Sequence, residues 1–357
     1  MFIVRLSATV RRTNSGPNSL RTSCGPPQYI RPVLGFQYKA TIARSTRLYS
    51  SSPSTASTMT TITLNTGAKM PAVGFGLWKV TKSSCADTVY NALKAGYRLL
   101  DGAGDYGNEK EAVVTSKLWN TFHAHDHAKA LVKKQLADWG IDYFDLYLIH
   151  FPVSLQYVDP AERYPPEWWG EDKKTVTLAS VPYQETWRAL EEIHDEGLAK
   201  NIGVSNLQGS ILLDVLRYAR IAPAVLQVEL HPYLTQEGLV ALAKVHNIAI
   251  TAYSSFGPQS YVELGIDKSA PSLLQHDIVS SIASKSNKTP AQVLLRWAIQ
   301  QGLAVIPKSN NHDRLLSNLD VVAWSLSDAD MKAISALNIN LRLNNPAEID
   351  PRMGIFA

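Results

Sequence analysis

The chain runs Asp101-Gly-Ala-Gly-Asp-Tyr106-Gly-Asn-Glu-Lys-Glu-Ala-Val-Val-Thr-Ser-Lys117. Two strand-like runs, 97–102 and 113–117, end on Asp101 and Lys117 with Tyr106 between them, and His150 closes a third run at 145–151. Tyrosine is a weak acid, with a reference pKa of about 10. A neighbouring ammonium is expected to favour the phenolate and lower that value. A carboxylate beside the lysine keeps the lysine charged. Such a set suits donation of a proton to a developing alkoxide, as carbonyl reduction requires. The same stretch is also short, with ten residues between Tyr106 and Lys117. A parallel crossover takes about a dozen residues or more, but only nine lie between Ala103 and Val113, and Tyr106 and its loop use most of them. The second crossover helix is therefore expected to be missing. Lys117's strand should return antiparallel or as a shortened stub, and the apolar surface of both strands should lose its cover.

Around this stretch, β-rich runs alternate with amphipathic segments. Residues 61–64 and 69–72 read as a hairpin about Asn65-Thr-Gly67. Strands are expected at 73–76, 97–102, 113–117, 145–151, 201–206, 225–230, 248–254 and 303–309. Helices are expected at 83–94, 124–139, 183–196, 208–219, 235–246, 276–286, 290–301 and 311–319. Pro290 suits a first helical turn behind Thr289 as cap. Regular βα alternation implies parallel strands, and eight of them imply an α/β fold of the (β/α)8 TIM-barrel type over residues 59–357. Polar residues recur where the strands end: Asp101, Lys117, His150, Ser205 with Asn206, Gln227 with Glu229, Tyr253 with Ser254, and Lys308 with Ser309. That rim carries the active site in barrels. Long insertions at 152–182 and 255–275 fall on the same side. No strand is followed by G-x-G-x-x-G, which argues against a Rossmann domain.

The net charge of +4 hides an asymmetry. Residues 1–58 hold eight Lys/Arg and no acid, leaving 27 basic against 31 acidic residues, net −4, in the remainder. A mildly acidic body without basic runs gives no reason to expect nucleic acid as a partner. No apolar run is long enough for a transmembrane helix. The Arg/Ser-rich, acid-free leader is expected to be disordered and resembles a mitochondrial transit peptide. Met59 offers a second start, so the chain is expected in mitochondria if the leader is translated and in the cytoplasm if translation starts at Met59. Cys24 and Cys85 make neither a disulfide framework nor a zinc motif. His123, His125 and His127 lack partners at ligand spacing, so no metal is expected.

The motifs are long enough to be recognised together. They include Gly74-Phe-Gly-Leu-Trp78-Lys79, Asp105-Tyr106-Gly-Asn-Glu, and Ser116-Lys117-Leu-Trp-Asn-Thr-Phe-His123. Further along come Asn201-Ile-Gly-Val-Ser-Asn206, Gln227-Val-Glu-Leu-His-Pro232, Ala252-Tyr-Ser-Ser-Phe-Gly-Pro-Gln-Ser260 and Ile306-Pro-Lys-Ser-Asn310. In this order they resemble the aldo-keto reductases, and within them the fungal sugar-reducing members. The resemblance implies NAD(P)H-dependent reduction of an aldose or other aldehyde, such as D-xylose to xylitol. NADPH would be the cofactor, with NADH possible, in a monomer or homodimer. It makes Tyr106 the general acid, tuned by Lys117 and Asp101, with His150 orienting the carbonyl. Ser205, Asn206 and Gln227 would hold the nicotinamide carboxamide and Tyr253, followed by Ser254, would stack on its ring. Lys308, Ser309, Asn310 and Arg314 would meet the 2′-phosphate, Asn318 the adenine and Glu263 the ribose. Trp78, Asp105 and Asn344 would face the sugar.

Against the family, about eighteen residues are absent after Glu111-Ala112, more than a whole crossover needs. Gly104 stands where cysteine is common and is expected to be tolerated. Pro346 is followed by Ala347 in place of an aromatic. A catalytically impaired barrel that binds NADP(H) or a protein partner is the alternative reading. An aldolase or hydrolase would want a Schiff-base lysine, paired carboxylates or a metal cluster, and the strand ends do not combine these.

Overall fold

The computed structural model describes residues 60–106, 115–262, 265 and 270–357. The leader, residues 107–114 and Glu263 lie outside the described residues. Eight strands follow one another in a single parallel sheet. They are β3 (Phe75–Gly76), β4 (Leu100–Asp101), β5 (Thr115–Leu118), β6 (Leu146–Ile149), β7 (Ile202–Ser205), β8 (Val225–Glu229), β9 (Ala249–Tyr253) and β10 (Ala304–Val305). A parallel bridge between Val73 and Val305 joins the first edge to the last, with the Gly74 amide 2.8 Å from the Val305 carbonyl. The sheet is thus a closed barrel, as the βα alternation implies. Closure leaves no edge exposed.

The hairpin is also present, as β1 (Thr61–Thr63) and β2 (Lys69–Pro71). Thr66 donates to Asn201 Oδ1 at 2.6 Å and Asn65 to the Pro223 carbonyl at 3.0 Å. Both partners precede strands, so the hairpin sits at the barrel's strand-start end, away from the rim.

Among the outer helices, α1 (Lys82–Ala95) stops at Gly96, whose φ of 118° closes the last turn onto the Ala92 and Leu93 carbonyls. Only glycine adopts that conformation without strain. Thr289 and Gln292 form a reciprocal capping box at the start of the helix Pro290–Gln300, with Pro290 in its first turn. That cap satisfies amide groups the helix itself leaves open. A short helix at Gln259–Val262 and another at Asp328–Ser335 were not foreseen. The latter is polar, burying only Ile334, and so carries a weak periodic signal.

The expected damage between β4 and β5 takes a milder form. Among the described residues, only a 3₁₀ turn, Gly104–Tyr106, lies between them. Yet β5 is not antiparallel. Asp101 pairs with Thr115 in parallel register, and the Gly102 amide reaches the Thr115 carbonyl at 3.0 Å. Nor is β5 a stub, since its four residues equal those of β6 and β7. The reason is local pairing: β5 holds a four-residue register with β6 on its other side. Leu99, Leu100 and Leu118 are all buried, so the bare apolar face expected here is not found on the strands themselves.

Candidate active site

Strand ends place the polar residues. Asp101 closes β4 and Lys117 lies within β5, one strand over. The Lys117 ammonium is fully buried and sits 2.5 Å from Asp101 Oδ1 and 2.8 Å from the Gly102 carbonyl. Gln227 donates to the other Asp101 oxygen at 2.7 Å. A buried charge needs such partners. Tyr106 ends the 3₁₀ turn above them, its ring centre 5.4 Å from the ammonium. His150, directly after β6, faces Tyr106 edge-on with ring centres 6.1 Å apart. The expected quartet is therefore assembled.

One electrostatic expectation is overturned. Burial raises the Tyr106 phenol well above its ordinary range, and the charges of Asp101 and Asp105 push it the same way. Tyr106 is consequently held as the neutral phenol, the form that can give a proton.

His150 Nδ1 lies 3.3 Å from Asp105 Oδ1. The two meet at an angle that makes no hydrogen bond, so both buried atoms keep unused bonding capacity. Hydroxyl groups of a substrate are suited to fill it. Gly104 fits this crowded corner. A Cβ there would stand 2.9 Å from the Gln135 amide and 3.1 Å from the Tyr164 hydroxyl.

These groups floor a cavity of about 410 Å³. Trp78, Asp105 and Asn344 line it with Asp101, Tyr106 and His150, as do Ser205, Asn206, Gln227, Tyr253 and Ser254. At its far end stand Lys308, Ser309, Asn310, Arg314 and Asn318. Lys117 lies beneath the floor rather than in the wall. Asn206 and Ser254 take left-handed φ values of 60° and 52° directly after their strands, a turn that asparagine tolerates better than most residues. Tyr253 donates to Asn206 Oδ1 at 2.6 Å, and Asn206 donates to the His150 carbonyl at 2.8 Å. A larger hollow of about 580 Å³ opens between Gln236–Leu239 and the C-terminal segment, and it contains none of these residues.

The sequence assigned no role to three further wall residues, Tyr261, Lys79 and Trp168, or to Trp119, which is buried behind the wall. Tyr261 packs edge-on against Trp78 with ring centres 5.6 Å apart and meets the Ser254 hydroxyl at 3.2 Å. Lys79 donates to the Ser260 carbonyl, drawing the loop after β9 against the loop after β3. Trp119 and Trp168 meet edge-to-face at 4.9 Å, and Trp119 also contacts His150. Aromatic residues in long insertions are the one signal that pointed here. They do not say which rings turn inward.

The aldo/keto reductase family model matches residues 72–339. Among curated proteins, the probable NAD(P)H-dependent D-xylose reductase of Emericella nidulans is 55% identical over 316 residues, covering 83% of this chain and 99% of the relative. The probable enzyme of Aspergillus fumigatus is 54% identical over 312 residues, covering 82% and 99%. The NAD(P)H-dependent D-xylose reductase of Aspergillus niger is 53% identical over 306 residues, covering 80% and 96%. For the first of these, 83% of 357 residues is about 296, against 316 matched, so about twenty residues of the relative have no counterpart here. That shortfall has the size expected from the close spacing of Tyr106 and Lys117. With most of its length matched in both ways, the chain belongs to the aldo/keto reductase family.

Proposed function

We propose that this protein reduces an aldose or a related aldehyde with NAD(P)H, D-xylose to xylitol foremost, with Tyr106 as the proton donor. The observation that carries this reading is the buried Lys117–Asp101 pair beneath Tyr106 and His150 at the floor of the cavity. When bound, NAD(P)H supplies a hydride. The chain's own groups do the rest. The Tyr106 hydroxyl passes its proton to the carbonyl oxygen, and the ammonium below eases the charge left on the phenol. His150 orients the carbonyl, while Asp105 and Asn344 meet substrate hydroxyls. This charge balance needs no metal.

The groove fits a dinucleotide phosphate. Arg314 forms no side-chain hydrogen bond among the described residues, and it lies in the first turn of the helix His312–Leu319. A guanidinium at a helix start beside Lys308, Ser309 and Asn310 suits a phosphate dianion. Lys308→Met or Arg314→Ala should therefore weaken NADPH while sparing NADH. Charge-assisted hydrogen bonds are worth about 1.5–3 kcal/mol each, or roughly a tenfold to hundredfold loss. Equal losses for both cofactors in fluorescence titrations would remove these residues from the phosphate site.

The relatives' names support the xylose reading, since each is called a D-xylose reductase. The test is xylose-dependent NADPH oxidation by the purified chain. Turnover supports the proposal. Tight NADPH binding without turnover of any aldehyde would favour an impaired barrel instead, the reading that the shortfall of about twenty residues keeps open. We also propose that the leader directs the chain to mitochondria and that initiation at Met59 leaves it in the cytoplasm. Fluorescent fusions begun at each methionine distinguish the two.

A further inference from the structure

We propose that Glu229 is a positioning residue that sets the substrate end of the site through Asn344. This rests on the reading of the chain as an aldehyde reductase. Glu229 ends β8 and is fully buried. Three donors converge on its carboxylate. His231 Nε2 stands 2.8 Å from Oε1, the Leu343 amide 2.9 Å from Oε1, and the Asn344 amide 2.9 Å from Oε2. Two of the three belong to the C-terminal segment, more than a hundred positions away in sequence. A carboxylate offers acceptors only, so it satisfies all three.

From Asn344 the bonding continues into the site. Its side-chain amide donates to the Tyr253 hydroxyl at 3.2 Å. Tyr253 donates to Asn206 at 2.6 Å, and Asn206 donates to the His150 carbonyl at 2.8 Å. Each link has one donor and one acceptor, so the chain has a fixed direction. It joins the residue expected to hold sugar hydroxyls to those expected to hold the nicotinamide and the carbonyl. Arg342 strengthens the same anchor. It stacks on Phe356 at 3.7 Å and donates to Gln236 at 3.1 Å, while Gln236 donates to the Glu229 carbonyl at 2.6 Å. Glu229 therefore fixes where Asn344 stands, without lining the cavity itself.

Glu229→Gln places an amide against three donors, which turns one acceptor into an opposing donor. Released from its anchor, Asn344 should no longer meet the sugar correctly. The Michaelis constant for xylose should rise by about tenfold or more, with kcat changed by less than about threefold. Two readouts separate positioning from general damage. Propanal has no hydroxyl groups, so its Michaelis constant should stay within about threefold of the parent value. NADPH affinity should be similarly unmoved, because Lys308 and Arg314 are untouched and Tyr253 keeps its own bond to Asn206. Adding Glu229→Gln to Asn344→Ala should change little further, since both act on one interaction. If Glu229→Gln does not fold, Glu229→Asp provides the same test, keeping the charge but withdrawing it by one methylene. Equal losses for xylose and propanal, or independent multiplying effects in the double variant, would overturn the proposal. Failure of the unaltered protein to reduce either aldehyde would instead overturn the proposed function.

Discussion

Lys117→Met should cost this protein both its activity and a large share of its stability. The lysine is fully buried, and among the described residues its ammonium bonds to Asp101 and the Gly102 carbonyl. Removing it leaves the Asp101 carboxylate buried with the Gln227 amide as its remaining partner. Breaking a buried pair in this way typically costs about 3–5 kcal/mol, a fall of roughly 5–15 °C in melting temperature for a domain of this size. A charge-neutral double variant, Asp101→Asn with Lys117→Met, separates the two roles. It should recover most of the stability, because no charge is stranded, yet remain inactive, because nothing stabilises the deprotonated tyrosine. Thermal melts and xylose-dependent NADPH oxidation measure both. Recovery of activity in the double variant would show that the ammonium is structural only.

Tyr106→Phe should abolish reduction while leaving the fold and NADPH binding intact. The ring keeps its packing and only the hydroxyl is lost. General acid catalysis contributes about 10²–10⁴-fold, so the residual rate should be below about one per cent of the parent. A variant retaining half the parent rate would remove Tyr106 from the chemistry. The raised phenol adds a pH expectation. Below its raised pKa the free enzyme carries the proton it must donate, so kcat/KM should not fall through neutral and mildly alkaline pH on account of this group. A decline centred near pH 7 would mean that another group, or an altered Tyr106, controls the rate.

The sequence carried the barrel and the composition of its rim further than the electrostatics of the site. Alternating βα segments are a period-level signal, and each strand end supplied a polar residue that the fold then brought to one cavity. Asp101, Lys117, Gln227 and His150 could be read because a barrel converts strand ends into neighbours. The Tyr106 phenol was misjudged for a different reason. Its pKa is raised chiefly by desolvation of the hydroxyl at the cavity floor, and which rings enclose that floor is not written in local pattern. Glu229 was visible as a strand-end acid, but its partners at 343–344 lie far along the chain. Polarity of β5's return was also misread in part. Loop length limited the connection, while the register with β6 determined the direction.

The close spacing of β4 and β5 bears on the order in which the barrel assembles. Asp101 and Thr115 are fourteen positions apart. The neighbouring contact, Thr115 with Leu146, spans thirty-one, and Tyr147 with Ile202 spans fifty-five. Each doubling of loop length adds only about 0.6 kcal/mol of closure cost, yet local contacts are also the quicker to form. Among the described residues, the strands that carry Asp101 and Lys117 are thus tied by the shortest-range parallel contact in the sheet. In refolding followed by pulsed hydrogen exchange, the Gly102 amide, bonded to Thr115, should be protected before the Gly74 amide, bonded to Val305. Protection in the reverse order would mean that closure of the barrel, rather than this early turn, nucleates the fold. If the expected order holds, the corner that holds Asp101 and Lys117 is already in place before the cavity around it has walls.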